Sequence, residues 1–151
     1  MNDALNHLDT WAGALLAKLA PPARRTLART IATELRRSQQ QRIAAQLNPD
    51  GTAYAPRKPR LRDKRGAIRR RATMFAKLRT ARWLKATSTA DAAEVGFIGR
   101  VARLARVHQE GLRDRVSPGG KQIRYPTRAL LGFTEAERES IRTRLLDHLT
   151  R

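Results

Sequence analysis

The chain has 151 residues, enough for one compact domain with a modest core. It carries 32 Lys or Arg against 13 Asp or Glu, and this formal net charge of +19 favours binding to polyanions or acidic protein surfaces. The absence of cysteine excludes disulfides and thiolate metal sites, and no run approaches the roughly 20 apolar residues of a membrane span. Asp3 and Asp9 fall where a secretion signal would be basic and then apolar, so we expect the protein to stay in the cell that makes it.

The first third of the chain predicts two helices. Leucines recur at helical spacing over residues 3–19, and Pro21 and Pro22 end that helix and open the next, over residues 22–47. Gln39 interrupts the apolar face of the second helix, and arginines such as Arg42 are expected to cover its remaining faces. A helix of that length would span about 40 Å. Since this is long for so small a domain, we expect part of it to contact another molecule.

A basic, extended arm follows. Asn48-Pro49-Asp50-Gly51 is typical of a turn, and the proline-punctuated run after it has no periodicity. Residues 57–85 hold thirteen Lys or Arg and one acid. Residues 73–79 predict one or two helical turns with Met74, Phe75 and Leu78 pointing inward.

The remainder alternates strands and helices. Residues 83–87 and 93–98 predict a hairpin, residues 100–110 a helix stopped by Gly111, and residues 122–125 a third strand after a mobile loop at 112–121. A last helix at 134–149 is expected to bury Ile141, Leu145, Leu146 and Leu149. The fold class is therefore α+β: a small antiparallel sheet packed against helices, with a long N-terminal helix and a basic extended arm. We predict a single domain over 1–151, with N-terminal helices at 1–47, the basic arm at 48–72 and an α+β core at 73–151.

The sequence contains no recognisable motif for catalysis, metal binding or phosphate binding. The three histidines lie far apart without ligand spacing, no serine stands in a nucleophile elbow, and no glycine-rich phosphate loop precedes a lysine. His108 is expected to bond a backbone carbonyl from a helix face. We predict a protein that is not an enzyme and that needs no cofactor or metal.

The charged part of the basic arm is the candidate site. Its side chains can neutralise phosphates without reading base sequence, or can contact acidic protein surfaces. The alternative interpretation is a solvated arm without a fixed partner. The aromatic residues near it are too few for a single-strand binding surface. The candidate contact residues are Arg57, Lys58, Arg60, Lys64, Arg65, Arg69, Arg70 and Arg71.

Four ordered blocks resemble the phage virion morphogenesis family, the tail completion proteins of contractile-tailed phages. The blocks are SQQQRIAAQLNPDGTAYAPRKPR from Ser38, MFAKLRTARWLKATS from Met74, EVGFIGRVARLARVHQEG from Glu94 and YPTRALLGF from Tyr125. Ala129 stands where the family pattern has a proline. The signature positions are His108, Gly111, Tyr125, Pro126, Arg128, Leu130, Leu131 and Gly132.

The resemblance implies an assembly protein of the phage tail or neck. Such a protein would complete the tail and help join it to the head as a subunit of a homo-oligomeric ring, with six copies to match the tail. Its partners would be tail tube, tail terminator or connector proteins, with possible non-specific contact with DNA and none with membrane. It would assemble in the host cytoplasm and remain in the virion. A basic nucleic-acid-binding module is the alternative that the charge alone would favour.

Overall fold

The structure is a computed structural model that describes residues 2–58 and 73–151, with the backbone alone for residues 2–9. Within those ranges the order of elements is α1 (Asn2–Leu19), α2 (Pro21–Ala44), β1 (Leu84–Ser88), β2 (Ala93–Phe97), α3 (Val101–Glu110), β3 (Arg113–Arg115), β4 (Gln122–Arg124) and α4 (Glu135–Thr150). The α+β prediction is confirmed, and so is the long second helix. Helix boundaries differ from the predicted ones by up to three residues, and the hairpin strands by one.

The strands form two separate sheets instead of the predicted single one. β1 pairs with β2, and β3 pairs with β4 in antiparallel register. The sequence predicted β4 but placed β3 inside a loop, because three polar residues are too few to show a strand pattern. β4 pairs with β3 and not with the hairpin of β1 and β2.

The chain divides into two compact units, and α2 contributes to both. The first unit consists of residues 1–36, 86–95 and 135–151. Its buried apolar residues lie on one face of α2: Ile31, Ala32 and Leu35. In the same unit the C-terminal ends of α1 and α4 meet, and Nε2 of His148 lies 2.8 Å from the carbonyl oxygen of Lys18.

The prediction that α4 buries its leucines is wrong. Leu145, Leu146 and Leu149 are all exposed, Leu146 by 62%. Helical periodicity identifies an apolar stripe, but it does not say whether the partner of that stripe lies in the same chain.

The second unit consists of residues 37–85 and 96–134. Ile43, Leu84 and Leu130 are its fully buried large side chains among the residues that the structure describes. Leu78 is buried as predicted, while Met74 and Phe75 are half-buried. Two polar residues of α2, Gln39 and Arg42, are also buried, although the sequence placed Arg42 on a solvent face. Both side chains are buried because they donate hydrogen bonds to main-chain carbonyls of the segment 130–132.

Candidate functional site: the anchored ends of the basic arm

α3 ends against the segment that carries most of the family signature. Gly111 adopts the left-handed conformation at the helix end, with φ 65°, as its place after the last helical turn predicts. A side chain at this position would also collide, because a Cβ atom would lie 2.4 Å from the hydroxyl oxygen of Thr127. The chain leaving β4 passes so closely that the amide of Tyr125 donates to the carbonyl of Leu112 at 3.0 Å and that of Arg128 to His108 at 2.8 Å. Gly111 is therefore required both for the helix stop and for this approach.

Arg128 is the central side chain of the site. It is only 4% exposed. Its Nε donates to the carbonyl of Ala55 at 2.7 Å and its Nη2 to the carbonyl of Pro56 at 3.2 Å. Its Nη1 lies 3.2 Å from Nδ1 of His108. A buried cation is tolerated here because carbonyl dipoles and a ring nitrogen satisfy its donors.

His108 is held as a neutral acceptor. Burial first, then the charges of Arg128 and Arg57, lower the pKa of this imidazole to about 4. The guanidinium facing Nδ1 has only donors, so Nδ1 must accept. The prediction that His108 bonds a backbone carbonyl is wrong in its partner, since the ring meets the Arg128 side chain instead.

Aromatic rings enclose the imidazole on two sides. The His108 ring centroid lies 4.8 Å from that of Phe75 and 5.0 Å from that of Tyr125, both edge to face. Tyr54 packs in turn against Phe75 at 5.8 Å, and burial raises the pKa of its hydroxyl to about 12. This packing engages two of the aromatic residues near the arm, Tyr54 and Phe75, of which Tyr54 is buried and Phe75 half-buried.

The segment after Arg128 is held from both flanking helices. On the α3 side, Oε1 of Gln109 accepts from the amides of Leu130 and Leu131 at 2.8 and 2.9 Å. On the α2 side, Nη2 of Arg42 donates to the carbonyl of Leu130 at 3.0 Å, and Nε2 of Gln39 to that of Gly132 at 3.2 Å. Leu130 is fully buried between them.

The turn at Asn48–Gly51 also contacts the signature. Oδ1 of Asn48 accepts from the amide of Ala129 at 2.9 Å. This bond needs the amide hydrogen of Ala129, which a proline at that position would lack. Gly132 lies against Pro49, whose Cγ would be 2.6 Å from an added Cβ. The turn and the signature, separated by about 80 positions in sequence, are thus one packed structure.

Both ends of the charged part of the arm are fastened to this structure. Arg128 binds the carbonyls of Ala55 and Pro56, directly before Arg57. At the other end, the amide group of Gln46 bonds the main chain of Met74 twice, at 2.9 and 3.1 Å. The residues before the charged part of the arm are thus held by Arg128 of the signature, and those after it by Gln46 of the turn that follows α2.

The predicted arm contacts are only partly within the described residues. Arg57 and Lys58 are exposed. The other six, Arg60, Lys64, Arg65, Arg69, Arg70 and Arg71, lie outside the described ranges. Among the signature residues, Arg128, His108 and Leu130 are brought together as a buried cluster, Leu131 and Tyr125 are half-buried, and Pro126 is exposed.

Sequence reasoning missed the polar residues that complete the site. These are Gln39, Arg42, Gln46, Asn48 and Gln109. Only Gln39 could have been recognised from the sequence. It interrupts an apolar helix face, and a polar residue in such a position is expected to be buried and hydrogen-bonded. Gln46, Asn48 and Gln109 lie in turn or mixed-polarity contexts that do not distinguish a buried amide from an exposed one.

No group of three or more His, Cys, Asp or Glu side chains among the described residues is arranged to hold a metal ion. An open cavity of about 220 Å³ lies beside α3 in the second unit. Its lining has neither a nucleophile nor a carboxylate: Phe97, Ala102, Ala105, Arg106, Gln109 and Leu131. No helix in the described part of the chain is long and apolar enough to cross a membrane.

Comparison with known proteins agrees with the sequence resemblance. No solved structure matches the chain. The chain is 42% identical over 153 residues to tail completion protein S of Escherichia phage P2, and the match covers all of both proteins. The pattern of the phage virion morphogenesis family matches residues 3–150, which include every side chain of the anchored site. The chain belongs to the phage virion morphogenesis family.

Proposed function

We propose that this protein is a structural subunit that completes the tail of a phage and helps to join it to the head. The observation that carries the proposal is the full-length match to a protein named for tail completion. The buried arginine and histidine support a structural role, because their polar atoms are occupied in holding the chain. The protein would assemble in the host cytoplasm and stay at the tail or neck of the virion, without catalytic turnover.

We further propose that it works as a ring of identical subunits, six if the ring follows the sixfold symmetry of a contractile tail. A chain of net charge +19 opposes its own association. That charge is unevenly divided, however. The ranges of the first unit hold nine Lys or Arg and nine Asp or Glu, whereas those of the second hold 23 and four. The first unit is therefore the part through which copies can meet with least repulsion.

The first unit also exposes the apolar surface that such a contact needs. Trp11 and Leu16 of α1 are 63% and 68% exposed. Leu146 of α4 is similarly open, near the end where α1 and α4 touch. Exposed leucines and tryptophan on an electroneutral surface are typical of protein–protein contacts. Neighbouring copies, or the tail tube, terminator or connector proteins, are the partners that fit this surface.

The basic arm would act as a strap fastened at both ends. Its positive charges would contact acidic surfaces of adjoining tail or neck proteins, and DNA in the neck is the second partner it would fit. Replacing Arg69, Arg70 and Arg71 together with glutamine is expected to reduce head-to-tail joining while leaving the fold intact. Normal yields of infectious particles from that variant would contradict this role for the arm.

The ring can be tested by counting copies on tails. Native mass measurement and electron microscopy of isolated tails should show several identical copies in a closed ring. Replacing Leu16 and Leu146 with serine should prevent ring formation, whereas the matched change Leu104→Ser, also at an exposed leucine but in the second unit, should not. A single copy per particle would exclude the ring.

The alternative function is a basic nucleic-acid-binding module, which the charge of the second unit favours. The two functions differ in what the isolated protein does. Tight, saturable DNA binding by a monomer that forms no ring on tails would support the alternative. Ring assembly with weak DNA affinity would support tail completion.

A further inference from the structure

The hairpin of β3 and β4 presents an arginine-rich face. Directly opposed residues of an antiparallel pair lie on the same face, and Arg113 opposes Arg124 while Arg115 opposes Gln122. The intervening pair, Asp114 and Ile123, lies on the opposite face. One side of this ribbon therefore carries three exposed arginines and one glutamine, and we call it the arginine face.

The ribbon is fixed in shape and in position. Its tip is a type II turn, since Pro118 precedes Gly119 with φ 74° and the amide of Gly120 donates to the carbonyl of Ser117 at 2.8 Å. At its base, Nε of Arg124 donates to the carbonyl of Gly111 at 3.3 Å. The arginine face is thus held at a defined place beside α3.

The charge of this face is not balanced within the described chain. Like charges directly opposed across a ribbon are destabilising, yet Arg113 and Arg124 stand in that relation. The one acid of the ribbon, Asp114, lies on the other side and is paired with Arg103 of α3 at 2.6 Å. Among the described residues no carboxylate pairs with Arg113, Arg115 or Arg124. An arrangement that costs stability in the free protein is explained if an anionic partner covers it.

We propose that the arginine face binds the phosphate backbone of double-stranded DNA. Arg113 and Arg115 stand about 7 Å apart along one strand, with Arg124 across from the first, and the guanidinium fork suits phosphate oxygens. A protein partner would be expected to meet a central apolar or aromatic anchor, and this face has none. Leu112 and Val116 alternate with the arginines, so they lie on the side of Asp114. The charge of the second unit, 23 basic against four acidic residues, adds attraction for a polyanion.

Binding of this kind is weak and independent of base sequence. Three backbone contacts position a duplex without reading it, and salt readily releases them. Such a surface can touch DNA that moves past it without retaining it. The arginine face includes no residue of the basic arm, and the proposal does not depend on whether the protein forms a ring.

The test is the salt dependence of DNA binding by the full-length protein. The affinity for a labelled duplex of arbitrary sequence would be measured by fluorescence anisotropy between 50 and 200 mM NaCl. Each phosphate contact contributes about 0.9 to the slope of log K against log salt, so the variant R113Q/R115Q/R124Q should lose about 2.7 from the wild-type slope. Contacts made by the arm add to both slopes and leave this difference unchanged.

A matched control removes the same charge from the electroneutral first unit. Arg25, Arg29 and Arg138 are exposed there, and the variant R25Q/R29Q/R138Q should keep the wild-type slope. Circular dichroism would verify that both variants fold. The single change R113Q, expected to lower the slope by about 0.9, serves if the triple variant does not fold.

Equal slopes for the ribbon variant and the wild type would overturn the proposal, as would equal losses in the ribbon variant and the control. No measurable binding by wild type at 50 mM NaCl would also overturn it. If the ribbon variant binds DNA normally but is no longer incorporated into tails, the face binds an acidic protein and the assignment to DNA is wrong.

Discussion

Replacing Arg128 with methionine should strongly destabilise the second unit. Methionine has a similar length and fills most of the space, but it cannot donate to Ala55, Pro56 or His108. Hydrogen bonds from a charged group contribute about 1.5–3 kcal/mol each, which gives an upper range of about 4.5–9 kcal/mol for three. Two effects lower this figure. The carbonyl of the exposed Pro56 can bind water instead, and the variant no longer buries a cation. We expect the free energy of unfolding to fall by about 3–5 kcal/mol.

Urea denaturation followed by circular dichroism measures this change, at constant slope m. Arg124→Met is the matched control, because Arg124 is exposed and donates one long hydrogen bond of 3.3 Å. Its loss should be below about 1 kcal/mol. A second measurement reports on the arm itself. Freeing Ala55 and Pro56 should speed tryptic cleavage after Arg57 under native conditions, whereas the bond after Lys58 precedes a proline and is not cut by trypsin. If Arg128→Met stays within 1 kcal/mol of wild type and its cleavage rate is unchanged, Arg128 does not anchor the arm.

Three further predictions concern the same unit. The pKa of His108 is about 4 in the folded protein and roughly 6.5 in an unfolded chain, so the unfolded state binds more protons between these pH values. Lowering the pH from about 6.5 to 4 should therefore reduce the free energy of unfolding by on the order of 3 kcal/mol. Urea titrations at several pH values measure this loss. Leu130→Ala should cost about 2–5 kcal/mol because Leu130 is fully buried, and Leu131→Ala clearly less because Leu131 is half-buried, both by urea denaturation. Gly111→Ala should cost more stability than Gly51→Ala, since both need positive φ but only Gly111 lacks room for a Cβ, and thermal unfolding of the two variants compares them.

Each of these predictions has an outcome that contradicts it. A variant with glutamine at His108 should lack the acid-sensitive component, so an unchanged pH profile would assign that component to other groups. A loss under half a kcal/mol for Leu130→Ala would mean that the residue is not packed as described. Equal losses of stability in Gly111→Ala and Gly51→Ala would show that the close approach of Thr127 to Gly111 does not add to the cost of the substitution.

Local patterns were enough to predict most elements of the fold. The leucine spacing of α1, the prolines after it and the glycine after α3 are short-range features, because capping, helix periodicity and left-handed backbone depend on residues a few positions apart. The strand β3 escaped detection because a three-residue strand has no period of its own. Its existence depends on pairing with β4 across a turn.

In the candidate site, too, short-range features could be predicted from the sequence and long-range contacts could not. The sequence identified His108, Gly111 and Arg128 through their resemblance to a family pattern, but it did not indicate that Arg128 reaches Ala55 and Pro56. Arg42 was expected on a solvent face and is buried, because its guanidinium finds the carbonyls of Leu130 and Gly132. An arginine is buried only where acceptors converge, and that convergence involves residues nearly 90 positions away.

By itself the sequence determined the α+β class, the positions of the helices and the family to which the chain belongs. Only the tertiary structure decided where the charge lies. The electroneutral unit is assembled from three ranges separated in sequence, residues 1–36, 86–95 and 135–151, and the excess of 19 positive charges falls entirely in the rest. The tertiary structure also left the leucines of α4 exposed and opposed Arg113 to Arg124. The physical reason is that periodicity and capping act over a few residues, whereas burial and charge balance depend on which distant segments fold against each other.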